Sequence, residues 1–320
     1  MKTRINEMLG IEKPIVQAAM GWIARAPLAS AFSNAGGMGI IETSSGELDI
    51  IRGEILKMRE LTDKPFGVNV AQAFVRDPDI VRFIIDQGIR FVTTSAGDPQ
   101  RYTATLKEAG LTVFHVVPSL SGALRAVEAG VDGLIVEGGE GGGFKNPKDV
   151  ASMVLVPQVC EAVDVPVVAA GGIMDGKTMA AAFALGAEGV LMGTRILSSA
   201  ESPVHQNWKD AIIGADSSDT VFLNRKGPGP ALRALRTERT ERLQAEGTEN
   251  IFGEFANTKT VYFEGDLEAG IALTGQVAGR IKSVRPVAEI LAETMDEFEV
   301  AVQRLSGFAG GQVRGNSPGC

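Results

Sequence analysis

The stretch PVVAAGGIMDGKTMAAAFALGAEGVLMGTR, residues 166–195, contains a complete strand–helix–strand unit. PVVAA is a short apolar, β-branched run, Asp175 suits a helix N-cap, and the residues from Asp175 to Ala187 repeat apolar positions at a helical period before GVLM supplies a second apolar run. Two strands joined through a helix run parallel, because a parallel pair needs a crossover of this length. The same unit recurs upstream. Further runs are PIVQAA (14–19), MGIIET (38–43), FGVNV (66–70), FVTTS (91–95), TVFHVV (112–117) and GLIVEG (133–138), with helix patterns between them. With PVVAAG (166–171) and GVLMGT (189–194) this makes eight strands before residue 195, which predicts a (β/α)8 TIM barrel rather than an open doubly wound sheet.

In such a barrel the functional face is built from the C-terminal ends of the strands and the loops that follow. Those ends here carry Gln17 to Trp22, Glu42 to Ser44, Asn69, Thr94 to Ala96, Pro118 and Ser119, the loop Glu137 to Phe144, Ala170-Gly171-Gly172 and Met192-Gly193-Thr194. Residues 1–208 and 258–308 are expected to form the barrel. A small, mainly helical cap is expected over 209–257, broken by GPGP at 227–230 and containing the helix-like run ALRALRTERTERLQAE. Residues 309–320 read as a flexible tail.

The totals narrow the function. With 39 acidic against 31 basic residues, a net charge of -8 is a poor footing for a nucleic-acid partner. No run reaches signal-peptide or membrane-span length, so the expected address is the cytoplasm, with no membrane partner. Two histidines and two cysteines, Cys160 and Cys320, support neither a metal site nor a disulfide framework. Oligomeric state is open, a homodimer included.

The loops after the seventh and eighth runs fit an anion, since exposed backbone N–H groups meet a phosphate at this place in many barrels. Gly171 and Gly172 permit close approach, and Gly193 and Thr194 add amides and a hydroxyl. Across the mouth, Ala19 and Met20, the two-way hydrogen-bonding Asn69 and the glycines after the sixth run suit a flat, partly polar ring. A phosphorylated planar cofactor, flavin mononucleotide (FMN), meets both requirements. A flavin-free, phosphate-binding lyase or isomerase barrel is the alternative from another class, although the strand ends are poor in the Lys, Glu or His that such chemistry uses. A flavin-binding protein without turnover is a third reading.

QAAMGW, DKPFGVN, VVPS, EGGEGGG, AAGGIMDG, ALGAEGVLMGTRI and LTGQVAG, in this order and spacing, resemble the nitronate monooxygenase family of FMN barrels, formerly called 2-nitropropane dioxygenase, with its related flavin-dependent enoyl and quinone reductases. The resemblance runs to about residue 306. It implies FMN with its phosphate at Gly171, Gly172, Gly193 and Thr194 and its ring near Ala19, Met20, Asn69, Gly138 and Gly139, with Gln276 as a further neighbour. Trp22 and Phe144 would wall the substrate slot.

The sequence departs from the family at one telling position. Relatives that oxidise neutral nitroalkanes place a histidine after the glycines of the EGGEGGG loop to take the α-proton; here the residue is Phe144. A phenyl ring accepts no proton, so the expectation shifts toward hydride chemistry: NADH or NADPH reduces FMN, and an activated alkene, a CoA-linked thioester or a quinone takes the hydride. Nitronate oxidation is the alternative, because a nitronate is already deprotonated. No catalytic residue is assigned; Lys145 and Glu140 are weak candidates for supplying protons. His115 is expected to face the helix layer, with Val116 facing the barrel interior, and His205 to lie far from the ring. Arg233, Arg236, Arg239 and Arg242, at intervals of three, read as a solvated helix stripe, or else as a rim for a phosphate-bearing handle such as that of coenzyme A.

Overall fold

The computed structural model describes residues 2–44, 47–227, 229–247 and 250–309. The predicted tail, apart from residue 309, and Cys320 lie outside the described residues. The first six strands are β1 (Ile15–Gln17), β2 (Gly39–Ile41), β3 (Phe66–Ala71), β4 (Phe91–Ser95), β5 (Thr112–Val117) and β6 (Gly133–Glu137). After a short strand β7 (Gly143–Lys145), which belongs to a second sheet, come β8 (Val167–Ala170) and β9 (Gly189–Met192). The large sheet is parallel throughout, in the order β1-β9-β8-β6-β5-β4-β3-β2. A bridge between Val16 and Met38 joins its two edges, with the Gln17 amide donating to Met38 O at 2.9 Å and the Met38 amide to Ile15 O at 2.9 Å. The sheet is therefore a closed eight-stranded barrel, as the eight runs predict.

Alternation along each strand divides the side chains between two cores. Val16, Ile40, Phe91, Phe114, Ile135, Val168 and Ala170 fill the interior, and Ile15, Ile41, Val68, Val70, Val92, Val113, Leu134, Val136 and Val190 pack outward against the helices. The rings of Phe91 and Phe114 meet edge-on at 5.2 Å. They occupy space left by two glycines: a Cβ on Gly67 would come within 2.6 Å of Phe91, and one on Gly133 within 2.5 Å of Phe114. An N-terminal helix, Arg4–Leu9, started by a Thr3–Asn6 capping box, adds Ile5 and Leu9 to the same interior cluster, and Ile11, just past its Gly10 cap, joins them. The N-terminal end of the barrel is thus filled with apolar side chains, and polar interior residues are left to the opposite end.

Beyond β9 a second sheet forms. Strands β10 (Thr220–Leu223) and β11 (Ala231–Leu235) make an antiparallel hairpin, and β11 also pairs with β7. This corrects the helical reading of ALRALRTERTERLQAE: its first five residues are the buried strand β11, and the helix is confined to Glu238–Glu246, behind a Thr237–Thr240 capping box. The predicted cap is therefore part strand and part helix. The final helix, Val287–Ala309, lies on helix Gly176–Ala184, where a Cβ on Gly176 would come within 2.1 Å of the Phe298 amide nitrogen. No helix of the described residues is long and apolar enough to cross a membrane.

Candidate active site

Five glycines lie among the seven residues from Glu137 to Gly143, and at most of them the neighbour that excludes a side chain is the protein itself. A Cβ on Gly138 would come within 2.5 Å of the Ser152 amide nitrogen, on Gly139 within 2.8 Å of the Asp149 carboxylate, on Gly141 within 2.4 Å of Glu137 Oε1, and on Gly142 within 2.8 Å of the Gly275 amide nitrogen. The loop is tied down as closely as it is packed. The Gly138 amide donates to Ala170 O at 3.0 Å, the Gly139 amide to Val150 O at 2.8 Å, and the Gln276 amide to Glu140 O at 2.9 Å. It is thus a rigid wall between the end of β6, the end of β8 and the late LTGQVAG segment.

The expected phosphate residues stand against this wall. Gly171, at φ +85°, packs on Gly138, where a Cβ would meet the carbonyl oxygen at 2.9 Å. Gly172, at φ +78°, and Gly193 differ: a Cβ there would find nothing nearer than 3.7 Å and 3.5 Å respectively. Of the three expected phosphate glycines, these two have room beside them. Thr194 opens a short helix, Thr194–Leu197, whose first amides have no intrahelical acceptor. Its Oγ1 accepts from the Gly275 amide at 2.9 Å, which leaves the hydroxyl proton to donate. The helix after β8 offers no such end. Its N-terminus is satisfied by Asp175, which accepts from the Thr178 amide at 2.8 Å, and by Glu297, which accepts from the Gly176 amide at 3.1 Å. Among the described residues, the groups left without a protein partner at these two strand ends are therefore those of the Gly172 turn, Gly193 and the Thr194 hydroxyl proton. The Gln276 side chain, nearby, is exposed.

Ala19, Met20 and Trp22 follow β1, which pairs with β9 and so stands beside the Gly193 turn, and Asn69 stands further round the mouth on β3. Ala19 packs against the interior cluster, and Met20 and Trp22 pack against the outer one. Asn69 is buried and points inward from β3; its amide donates to Thr93 Oγ1 at 2.9 Å and Thr93 O at 3.2 Å. Among the described residues no donor reaches its Oδ1, which is left to accept. Trp22 holds φ +66°, uncommon for a bulky side chain, and its ring lies 5.0 Å from Lys259 Nζ.

Phe144 and Lys145 are neighbours on β7 and point to opposite sides. Phe144 joins an aromatic cluster that the sequence did not reveal: ring centroids lie 5.2 Å from Phe74, 5.6 Å from Phe255 and 6.2 Å from Phe252. These rings come from the loop after β3, from β7 and from the cap, and Phe252 is 47% exposed. Lys145 is buried against Glu137, Nζ to Oε1 2.5 Å, and also donates to Phe144 O at 3.2 Å. Glu140 is engaged by Ser152, accepting from its amide at 3.0 Å and its hydroxyl at 2.8 Å. Both proton-donor candidates therefore hold structural partners. His115 faces the helix layer as expected, while Val116 packs with the interior cluster; the imidazole lies 2.6 Å from Thr94 Oγ1, and burial pulls it down to about 4. His205 caps helix Gln206–Gly214, accepting from the Asn207 amide at 3.1 Å.

The arginine stripe is not a stripe. Arg233 is buried on β11, Arg236 bonds Ser218 O and Glu241, and Arg239 pairs with Glu254 at 2.7 Å. Spacing by three misled because the chain passes from a strand to a helix at residue 237: Arg233 stands on the strand and Arg239 and Arg242 on the helix, so the four do not form one helix face.

Comparison with known proteins gives the family. The family model for nitronate monooxygenase matches residues 2–81 and 70–297. FabK from Thermotoga maritima is 41% identical, with a TM-score of 0.91 over 96% of this chain and 99% of that one. A (3aS,4S,5R,7aS)-5-hydroxy-7a-methyl-1-oxo-octahydro-1H-indene-4-carboxyl-CoA dehydrogenase of Mycobacterium tuberculosis is 35% identical, covering 91% of this chain and 94% of the relative. A probable nitronate monooxygenase of Staphylococcus aureus strain N315 is 30% identical over 94% of this chain and 99% of its own length. A barrel whose glycine wall, open turn and threonine converge at one mouth, with this family match along its length, is a flavin-dependent oxidoreductase, and the chain belongs to the nitronate monooxygenase family.

Proposed function

We propose that the protein binds FMN and uses NADH or NADPH to reduce a carbon–carbon double bond conjugated to a thioester, with a CoA-linked substrate carrying an apolar body. The observation that carries the reading is Phe144. Where a base would serve nitroalkane oxidation, the chain places a ring inside a cluster with Phe74, Phe252 and Phe255. That wall can sort an apolar acyl group and cannot take a proton. The relative named for a fused-ring carboxyl-CoA substrate supports the same substrate class.

The residues fit the cofactor. Open space at Gly172 and Gly193, the free hydroxyl proton of Thr194 and the first amides of helix Thr194–Leu197 would hold a phosphate, and Ala19, Met20, Asn69 and the Gly138-Gly139 wall would border the ring. When bound, FMN supplies hydride transfer between nicotinamide and substrate. The chain's own part is to exclude water with the aromatic wall, orient the acyl group, and hold the glycine loop fixed.

The experiment is an acceptor comparison on FMN-reconstituted protein with NADH or NADPH: enoyl-CoA thioesters bearing apolar chains or rings, a quinone, and an alkyl nitronate with oxygen. Turnover of the enoyl thioesters with the highest kcat/KM is expected. Turnover of the nitronate alone, without nicotinamide, would replace this reading with nitronate oxidation, which needs no base at position 144.

A further inference from the structure

The insertion after β9 reaches the glycine wall through one side chain. In the ladder between β11 and β7 the backbone of Arg233 lies opposite Gly143, and its Nε donates to Gly139 O at 2.7 Å. One residue of the insertion therefore holds both ends of the Gly139–Gly143 turn. Its guanidinium is fixed from the other sides by Thr220 Oγ1 at 3.2 Å, by Asp149 Oδ2 at 3.9 Å and by the Phe222 ring, 5.1 Å from its centre. Arg233 is 7% exposed. A cation so buried is costly unless fully engaged, and the acceptor it uses toward the loop is a main-chain carbonyl.

The turn it grips is in contact with the open anion corner. The Gly138 amide bonds Ala170 O, immediately before Gly171, and the Glu140 carbonyl accepts from the Gln276 amide beside Gly275, which bonds Thr194. A shift at Gly139 must move these contacts or break them, because Gly138, Gly139, Gly141 and Gly142 have no spare room.

We propose that Arg233 is a positioning residue for the cofactor site, locking the Gly139–Gly143 turn so that docking of the insertion and the shape of the flavin wall are a single equilibrium. The inference rests on the FMN reading above.

The test is FMN affinity, measured by fluorescence on apoprotein with Arg233→Met, Arg233→Lys and the control Arg236→Met, whose arginine touches no part of the loop. Arg233→Met is expected to weaken FMN binding by about 10-fold or more, the scale of one lost charged hydrogen bond and the unpaired carbonyl it leaves. Arg233→Lys should recover part of the loss, and Arg236→Met should bind as wild type. The visible band of any flavin still bound to Arg233→Met should shift, reporting a displaced wall. Wild-type affinity and an unchanged band in Arg233→Met would overturn the inference while leaving the flavin reading intact. Wild-type protein that takes up no FMN would overturn both. If Arg233→Met loses its thermal unfolding transition, Arg233→Lys decides alone: affinity equal to wild type overturns the inference, and weakened affinity in a folded protein supports it.

Discussion

Replacing Gly172 separates a site for a ligand from a site for the fold. A Cβ at Gly172 meets no protein atom within 3.7 Å, so the direct cost to the folded chain is the strain of φ +78°, about 1–2 kcal/mol for a non-glycine residue. In a chain of 320 residues that lowers the melting temperature by only a few degrees, about 2–4 °C. The same space is the proposed seat of the phosphate. A leucine there should remove at least one charged hydrogen bond worth about 1.5–3 kcal/mol, a loss of roughly 10- to 100-fold in FMN affinity, and more where the side chain fills the space outright. Gly171→Ala is the counterpart: its Cβ would sit 2.9 Å from Gly138 O at φ +85°, so it should cost the fold about 3 kcal/mol or more. The assay pairs thermal unfolding of the apoproteins with FMN titration. Gly172→Leu that melts near wild type and retains FMN at wild-type affinity would refute the placement of the phosphate.

Phe144→His restores a base at the end of the glycine loop and should raise oxidation of a neutral nitroalkane by about 100-fold over the parent, measured by oxygen consumption; no gain would detach position 144 from the chemistry. Phe252→Ala removes the exposed ring of the aromatic cluster and should raise KM for apolar enoyl thioesters roughly tenfold while sparing a short-chain one, with stability nearly unchanged. Stability should also depend on pH through His115. Folded, the buried imidazole titrates at about 4 against an ordinary 6.5, so the unfolded chain holds more protons between these values. Stability is then full above about pH 6.5 and declines by about 3 kcal/mol as pH falls to about 4, a slope that urea titrations of His115→Gln should show largely removed.

The barrel was legible because its strands are buried on both faces. Each of the eight runs is a short apolar segment closed by glycine or polar residues, and the observed strands fall inside or within one residue of those runs. The candidate anion corner was drawn from a local signal, since Gly171, Gly172, Gly193 and Thr194 directly follow strand ends. What escaped was made by contacts distant in sequence. Strand β11 exists because it pairs with β10 and with β7, nearly ninety residues earlier, and ALRAL followed by a helical run gives no sign of the break. Phe74, Phe252 and Phe255 stand in short 3-10 helical turns, Gln72–Phe74 and Ile251–Phe255, too short to carry a periodic pattern, and only the tertiary fold brings them to Phe144. The glycines of the loop invited a ligand, yet Asp149, Ser152 and Gly275 are what lie against them.

A flavin at this barrel mouth working between nicotinamide and an apolar enoyl thioester would show itself in the visible absorption spectrum of FMN-loaded protein held without oxygen. NADH or NADPH should bleach the flavin band, and an apolar enoyl-CoA should then restore it. A band that neither nicotinamide changes, but that an alkyl nitronate bleaches, would contradict that role.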